Sequence, residues 1–204
     1  MSLPLVSLGF NHRADRNHHY SEFGTETETL SEDSLFYFKT KFHSYLRSLN
    51  LPFTLYYNGW FLDQNFGPFL GFDIPGKTIS IVGTGAAKIS LTTRQDIAHF
   101  VAYTLTHLPE DRLKNASLRV EGEKTTLRQL KPIFEQVFGG EFTIKAREVA
   151  DAERNVKEKG MTAFGDSLLL LAERGLTDIG ANDNALVPGF APLGVADALK
   201  KYYT

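Results

Sequence analysis

Residues 51–61 read LPFTLYYNGWF, and this stretch decides the fold class. The run from Phe53 to Tyr57 is aromatic and β-branched and has no helical period, so it predicts a buried strand. The Asn58-Gly59 pair that follows predicts a break, because both residue types favour turns. The segments on either side of this strand then indicate the architecture.

The segment before this strand predicts a helix that begins at Leu35 and ends near Asn50. Its apolar residues recur at the spacing of one helical face, at Phe38, Phe42, Tyr45 and Leu49. Residues 11–34 are polar and turn-rich, so most of them are expected to form loops, and residues 1–20 are expected to form an irregular N-terminal segment.

The segments after this strand predict short strands that alternate with helices. Strands are expected at 78–82, 88–91, 117–120 and 142–146, and helices at 93–108, 125–138, 148–159, 162–174 and 194–203. The first two of these strands are expected to form a hairpin through Gly83-Thr84-Gly85. Strands alternating with helices indicate an α/β layered fold.

Composition excludes several classes of function. The 22 Lys and Arg residues against 24 Asp and Glu residues give a net charge of −2, which argues against nucleic acid and membrane surfaces as partners. The chain contains no cysteine, so disulfides, thiolate metal sites and cysteine nucleophiles are excluded. No apolar run is long enough for a membrane span or has the pattern of a signal peptide, and a cytoplasmic protein is expected.

Two glycine patterns resemble phosphate loops only as strings. Gly83 and Gly85 are followed by Lys88 where a dinucleotide fingerprint has its third glycine, and a strand is expected next where that fingerprint needs a helix. Gly71 and the triplet Gly76-Lys77-Thr78 have the spacing of a P-loop, but Pro75 lies inside the loop and again no helix follows. Neither pattern predicts a phosphate site.

Two sets of polar residues suggest a metal site or an acid–base pair at first, but neither set predicts a functional site. His12, Asp15, His18 and His19 are irregularly spaced in a polar segment, so a solvated terminus is expected and no metal site. Asp96 and His99 could be proposed as an acid–base pair, but no third partner accompanies them, and a surface pair on a helix is expected.

Lys39 and Lys41 flank the apolar stripe of the first predicted helix, one on each side. A lysine at such an edge is either partly buried and suited to proton transfer, or lays its stem on the apolar surface with its ammonium in water. The spacing does not choose between the two lysines.

Several stretches together resemble the NmrA-like and isoflavone-reductase-like proteins. They are Ser21-Glu22-Phe23-Gly24-Thr25-Glu26, the helix that carries Lys39, the strand with Asn58-Gly59-Trp60-Phe61, residues 79–85 and 88–91, and Arg94-Gln95-Asp96-Ile97-Ala98. This family is an atypical branch of the short-chain dehydrogenase/reductase fold. The resemblance implies an α/β fold with a partial Rossmann-like, NAD(P)-binding layer and a smaller α+β substrate domain.

The resemblance also implies an activity and a site. It implies NADP(H) or NAD(H) as cofactor and reduction of a small, aromatic substrate, with Lys39 rather than Lys41 as the lysine that assists proton transfer. Ser21, Lys39 and Asn58 would then border the cofactor, and Trp60 and Phe61 would line the substrate pocket.

The sequence departs from the family in its first part. The opening strand, glycine-rich loop and helix of the family have no counterpart, so residues 1–204 are interpreted as one NmrA-like domain without that unit. Without the loop, a pyrophosphate would lack its backbone donors, and weak cofactor binding by this chain alone is expected.

Three hypotheses about function remain open. The chain is derived from an NAD(P)H-dependent reductase, or it is a non-catalytic NAD(P)-sensing regulator of a protein partner, or it is a truncated copy without autonomous activity. The sequence does not choose among them.

Overall fold

The structure is a computed structural model, and it describes the backbone of residues 18–19 and all of residues 22–204. This part of the chain is a mixed α/β protein, so the predicted fold class is confirmed. Its strands are β1 (His18–His19), β2 (Phe53–Tyr57), β3 (Trp60–Phe61), β4 (Phe72–Asp73), β5 (Thr78–Val82), β6 (Lys88–Thr92), β7 (Ala116–Arg119), β8 (Glu123–Thr126) and β9 (Thr143–Arg147). Its α-helices are α1 (Tyr37–Ser48), α2 (Arg94–His107), α3 (Glu110–Leu113), α4 (Leu127–Phe138), α5 (Val149–Lys159), α6 (Phe164–Glu173) and α7 (Val195–Tyr202).

The first sheet is parallel and has the order β1-β2-β7. All five residues of β2 are buried, as the run from Phe53 to Tyr57 predicts. Phe53, Leu55 and Tyr57 pack with Leu46 of α1, whereas Tyr56 packs with α2 and β7. Because both faces of the strand are covered, it is apolar throughout and does not alternate.

The predicted hairpin between residues 78–82 and 88–91 is wrong. Strand β5 pairs with β4 and β9, whereas β6 pairs with β3 and β8, so the two strands lie in different sheets. The loop between them passes from one sheet to the other, and Glu173 holds it in place. Strand β8 occupies the start of the helix predicted at 125, and Thr126 caps the true helix by accepting from the Gln129 N–H.

The Gly83-Thr84-Gly85 loop encloses the carboxylate of Glu173. The backbone N–H groups of Thr84 and Gly85 each donate to it at 2.8 Å, and the Thr84 hydroxyl donates at the same distance. Gly83 has φ +65°, and a Cβ there would lie 2.5 Å from the carboxyl carbon of Glu173, so only glycine fits. The donors that a phosphate would need are therefore satisfied by the chain's own carboxylate.

Helix α1 does not bury the face that its apolar spacing predicts. Phe38 is 62% exposed and Tyr45 is 58% exposed, and Leu49 at the end of the same stripe is also exposed. The face toward the protein carries the buried side chains of His43 and Leu46. Polar partners behind the helix decide its orientation, as described below.

The described residues include no helix with the length and apolarity that a membrane span needs. Within the same residues, no group of three or more His, Asp and Glu side chains is arranged to hold a metal ion. Ser21, His12 and Asp15 lie outside the described residues, and so do the side chains of His18 and His19. The predictions made for these residues, and for most of the segment 1–20, are therefore not addressed by the structure.

Replacing Glu173 with Ala is expected to lower the free energy of unfolding by about 1–3 kcal/mol, because three donors of the glycine loop lose their charged acceptor. Urea unfolding measures this effect. Glu153→Ala is the matched control, because Glu153 makes an ion pair with Arg174 in which both side chains are half-exposed. Equal losses in the two variants would contradict this account of the loop.

Candidate functional site

A cleft of about 230 Å³ opens beyond the carboxyl end of β2, where α/β folds place their ligands. The side chains that form its walls are mainly aromatic and aliphatic. Most of them lie in four segments of the chain, 23–27, 36–39, 59–69 and 164–171. The lining residues are Phe23, Gly24, Thr25, Thr27, Phe36, Lys39, Gly59, Trp60, Phe61, Gln64, Asn65, Phe69, Phe164, Leu168, Leu171 and Thr177. Lys39 is the one charged side chain among these lining residues.

Lys39 faces the cleft and Lys41 does not. The Lys39 side chain is 17% exposed, and its ammonium lies 3.3 Å from the Glu22 carboxylate and donates to the Glu22 backbone carbonyl. Lys41 is exposed, with its ammonium 5.4 Å from the centre of the Tyr37 ring. The geometry therefore separates two lysines that the helical spacing alone left equivalent, and the role of Lys39 stays a prediction.

The Glu22 carboxylate beside Lys39 is buried, with the whole residue 1% exposed. The Thr27 hydroxyl donates to it at 2.6 Å, and His43 Nε2 lies 2.9 Å from the same oxygen. Burial by itself raises the pKa of Glu22, but the contacts with His43, Lys39 and Thr27 outweigh it, so its pKa lies below the ordinary value. Glu22 is therefore a buried anion that provides the counter-charge for Lys39.

The same network continues from His43 toward the surface. His43 Nδ1 lies 3.3 Å from the carboxylate of Glu28, which also accepts from the guanidinium of Arg47. Lys39, His43 and Arg47 are spaced four residues apart, so they lie on one face of α1. This polar face, directed at Glu22 and Glu28, is why the apolar stripe of α1 points outward.

The backbone around Asn58 and Gly59 shapes the floor of the cleft. The Gly24 carbonyl accepts from the N–H groups of both Asn58 and Gly59 at 3.1 Å. Gly59 has φ +67°, and a Cβ there would lie 2.0 Å from the Ser90 carbonyl oxygen, so no other residue fits this turn. Asn58 is fully buried, donates to the Gly59 carbonyl and is not part of the lining.

Three residues of the lining have buried polar atoms without a hydrogen-bond partner: Thr25 Oγ1, Trp60 Nε1 and Thr177 Oγ1. Such atoms are costly unless something satisfies them, and they are common where a ligand binds. The cleft thus combines apolar walls, one ammonium and unsatisfied donors. Apolar walls with a few polar groups are the composition of a small-molecule site.

The structure brings some of the predicted site residues together. Lys39, Trp60 and Phe61 line one cleft, Asn58 lies buried next to it, and Ser21 is outside the described residues. Phe36, Phe69, Phe164 and Thr177 were missed, because residues so far apart in sequence meet only through the fold. Phe36 and Phe69 lie in a stretch rich in aromatic residues, but an aromatic cluster is more often core than pocket.

The cleft and the glycine loop at 83–85 differ in what they could hold. The cleft has aromatic walls and one ammonium, which could hold a small ring compound. The glycine loop at 83–85 already binds Glu173, and the described residues offer no second glycine-rich turn before a helix for a pyrophosphate.

The lowered pKa of Glu22 predicts a loss of stability in acid. Above pH 4.5, the ordinary pKa of this carboxyl, the ionised carboxylate stabilises the fold. This stabilisation is lost as the pH falls below 4.5 and through the lower pKa that Glu22 has in the folded protein. Glu22→Gln is therefore expected to lower the free energy of unfolding at neutral pH by about 3–5 kcal/mol and to reduce its dependence on pH below 4.5.

Urea unfolding at neutral pH and in the acid range measures both effects. Glu141→Gln is the control, because the Glu141 side chain is 90% exposed. An unchanged acid dependence in Glu22→Gln would show that the buried carboxylate is not the group responsible.

Comparison with known proteins identifies the fold. No protein-family model matches the chain, and no curated protein matches its sequence. The structure is similar to leucoanthocyanidin reductase with NADPH from Vitis vinifera (TM-score 0.75, 15% identity, 90% of this chain and 65% of that one). It is also similar to isoflavone reductase (TM-score 0.74, 14% identity, 91% of this chain and 66% of that one). A third similar structure is an NADPH-dependent quinone oxidoreductase from Escherichia coli (TM-score 0.71, 16% identity, 91% of this chain and 67% of that one).

The chain thus spans about two thirds of the length of these proteins, from 65% to 67%. At 14–16% identity the similarity shows a shared fold and no more. A shared fold does not by itself imply a shared activity. The resemblance seen in the sequence is confirmed at this level: the chain has the α/β fold of the isoflavone-reductase-like, NAD(P)-binding reductases.

Proposed function

We propose that the chain forms the nicotinamide and substrate site of an NAD(P)H-dependent reductase that acts on small aromatic carbonyl or quinone-like compounds. The observation that carries the proposal is the cleft beyond β2, in which Lys39 is the single charged lining residue among aromatic walls. The similarity in fold to NADPH-dependent reductases supports the same choice of cofactor.

The chemistry follows from where charge develops in such a reaction. When bound, a nicotinamide cofactor supplies the hydride. As hydride reaches the substrate carbon, negative charge grows on the attached oxygen, and the Lys39 ammonium stabilises this oxygen and gives it a proton. The apolar walls exclude water, so the attraction between the ammonium and the oxygen is stronger than it would be in solvent.

The remaining lining residues select the substrate by shape and by hydrogen bonding. The rings of Trp60 and Phe61 offer flat apolar surfaces to an aromatic substrate. The unpaired N–H of Trp60 and the hydroxyls of Thr25 and Thr177 are suited to additional oxygens on that substrate. Glu22 keeps the ammonium in place, because it contacts Lys39 through both its carboxylate and its backbone carbonyl.

Titration with NADPH tests cofactor binding directly. Trp60 is the single tryptophan of the chain, and it lies in the cleft, so its fluorescence reports on this site alone. We expect saturable quenching with energy transfer to the nicotinamide at roughly 0.1–1 mM NADPH, because the pyrophosphate lacks its backbone donors in this chain. No change up to several millimolar NADPH would contradict the proposal and favour the hypothesis of a truncated copy without autonomous activity.

Steady-state kinetics with a panel of quinones and aromatic carbonyl compounds test the role of Lys39. Lys39→Ala is expected to lower kcat by roughly 10²–10⁴-fold, because a general acid contributes an effect of this size. Lys41→Ala, on the outward face of the same helix, is the matched control and should retain full activity. Equal activities of the two variants would exclude Lys39 as the proton donor.

A further inference from the structure

We propose that Glu22, His43 and Glu28 form a proton relay that connects Lys39 with solvent. This inference rests on the proposed function, because it describes how Lys39 regains the proton that it gives to the substrate. The relay lies on the protein side of α1, behind the cleft, and its three members act through Lys39 without touching the substrate.

The contacts form a continuous path. Lys39 Nζ lies 3.3 Å from Glu22 Oε2, Glu22 Oε1 lies 2.9 Å from His43 Nε2, and His43 Nδ1 lies 3.3 Å from Glu28 Oε1. The side chains of Glu22 and His43 are fully buried, whereas that of Glu28 is 32% exposed. The path therefore begins at the cleft and ends at water.

The energetic cost of this arrangement argues for a role beyond stability. A histidine buried between two carboxylates loses its hydration, and apolar residues of similar volume often replace such buried ionic groups without loss of stability. The His43 ring also stacks on the Phe53 ring, with the two ring centres 5.9 Å apart, so its two nitrogens are directed at the two carboxylates. An imidazole is the side chain that can both give and accept a proton near neutral pH.

The proton balance of the relay is complete. Lys39 gives one proton to the substrate oxygen and becomes a neutral amine. His43, with its proton on Nε2, accepts a second proton at Nδ1 from water through Glu28 and then gives the Nε2 proton to Glu22 Oε1. The Glu22 carboxyl rotates and gives that proton to the amine. One proton has then moved from solvent to substrate. His43 is left with its proton on Nδ1, and a flip of the imidazole ring returns it to the starting tautomer.

The other ionisable groups near the relay do not replace its members. Tyr57 is buried beside it, and burial together with the charges of Glu22, Glu26 and Glu28 raises its pKa well above the ordinary range, so it stays neutral. Arg47 contacts Glu28 through its guanidinium, which carries only donors and therefore accepts no proton from the relay. Arg119 is paired with Glu26 at 3.2 Å and makes its ion pair outside the path.

The test measures the exchange of the Lys39 ammonium protons with water by ¹⁵N NMR, in the chain without cofactor. His43→Gln retains an N–H donor for Glu22 but cannot transfer a proton, so we expect Lys39 exchange to slow several-fold. Lys41, exposed on the same helix, is the internal reference, and His99→Gln at an exposed site is the matched control variant.

Glu28→Gln, at the solvent end of the relay, is the second variant, and it tests the proposal even if His43→Gln fails to fold. It is expected to slow exchange at Lys39 in the same way. Unchanged Lys39 exchange in the folded variants would overturn the relay. Since this measurement needs no cofactor or substrate, its outcome is independent of whether the chain reduces anything.

A kinetic measurement follows where reductase activity is found. His43→Gln should then lower kcat by about tenfold, less than the loss of the acid itself, with KM unchanged. A solvent isotope effect should increase in the same variant, because reprotonation of Lys39 becomes the slow step. A change in KM alone would assign His43 to structure and overturn the relay.

Discussion

The buried carboxylate of Glu22 determines how the elements next to the cleft are arranged. A carboxylate withdrawn from water is costly unless donors surround it, and here Thr27, His43 and Lys39 supply them. Two of these donors lie on α1, so the requirement fixes which face of the helix meets the protein. The orientation of α1 then places the Lys39 ammonium at the edge of the cleft, beside the segment that contains Gly24.

The apolar residues of α1 show how strongly this electrostatic requirement competes with hydrophobic burial. Phe38, Tyr45 and Leu49 form a stripe with helical spacing, yet they remain exposed while a histidine is buried. Hydrophobic burial contributes a few kcal/mol for each such side chain, and an uncompensated buried charge costs about the same or more. The charged partners of the helix therefore contribute to the choice of its inward face, together with the burial of Leu46.

Close backbone approaches provide the second constraint. The Gly24 carbonyl holds the turn at Asn58 and Gly59, and Gly59 touches the Ser90 carbonyl where a side chain would not fit. This turn leads from β2 directly into Trp60 and Phe61, which form part of the cleft wall. Glu173 occupies the glycine loop between β5 and β6 and makes that loop structural.

The sequence by itself determined the α/β class, the buried strand from Phe53 to Tyr57 and the approximate extents of most helices, because these depend on local periodicity and turn residues. Resemblance to a family also singled out Lys39, Trp60 and Phe61, which meet in one cleft. Only the tertiary structure decided the pairing of β5 and β6 with other strands, the outward turn of the apolar stripe, and the contribution of Phe164 and Thr177 to the cleft. Strand pairing, the choice of the buried helix face and the meeting of distant residues all depend on contacts between segments far apart in the chain, and local sequence carries no signal for them.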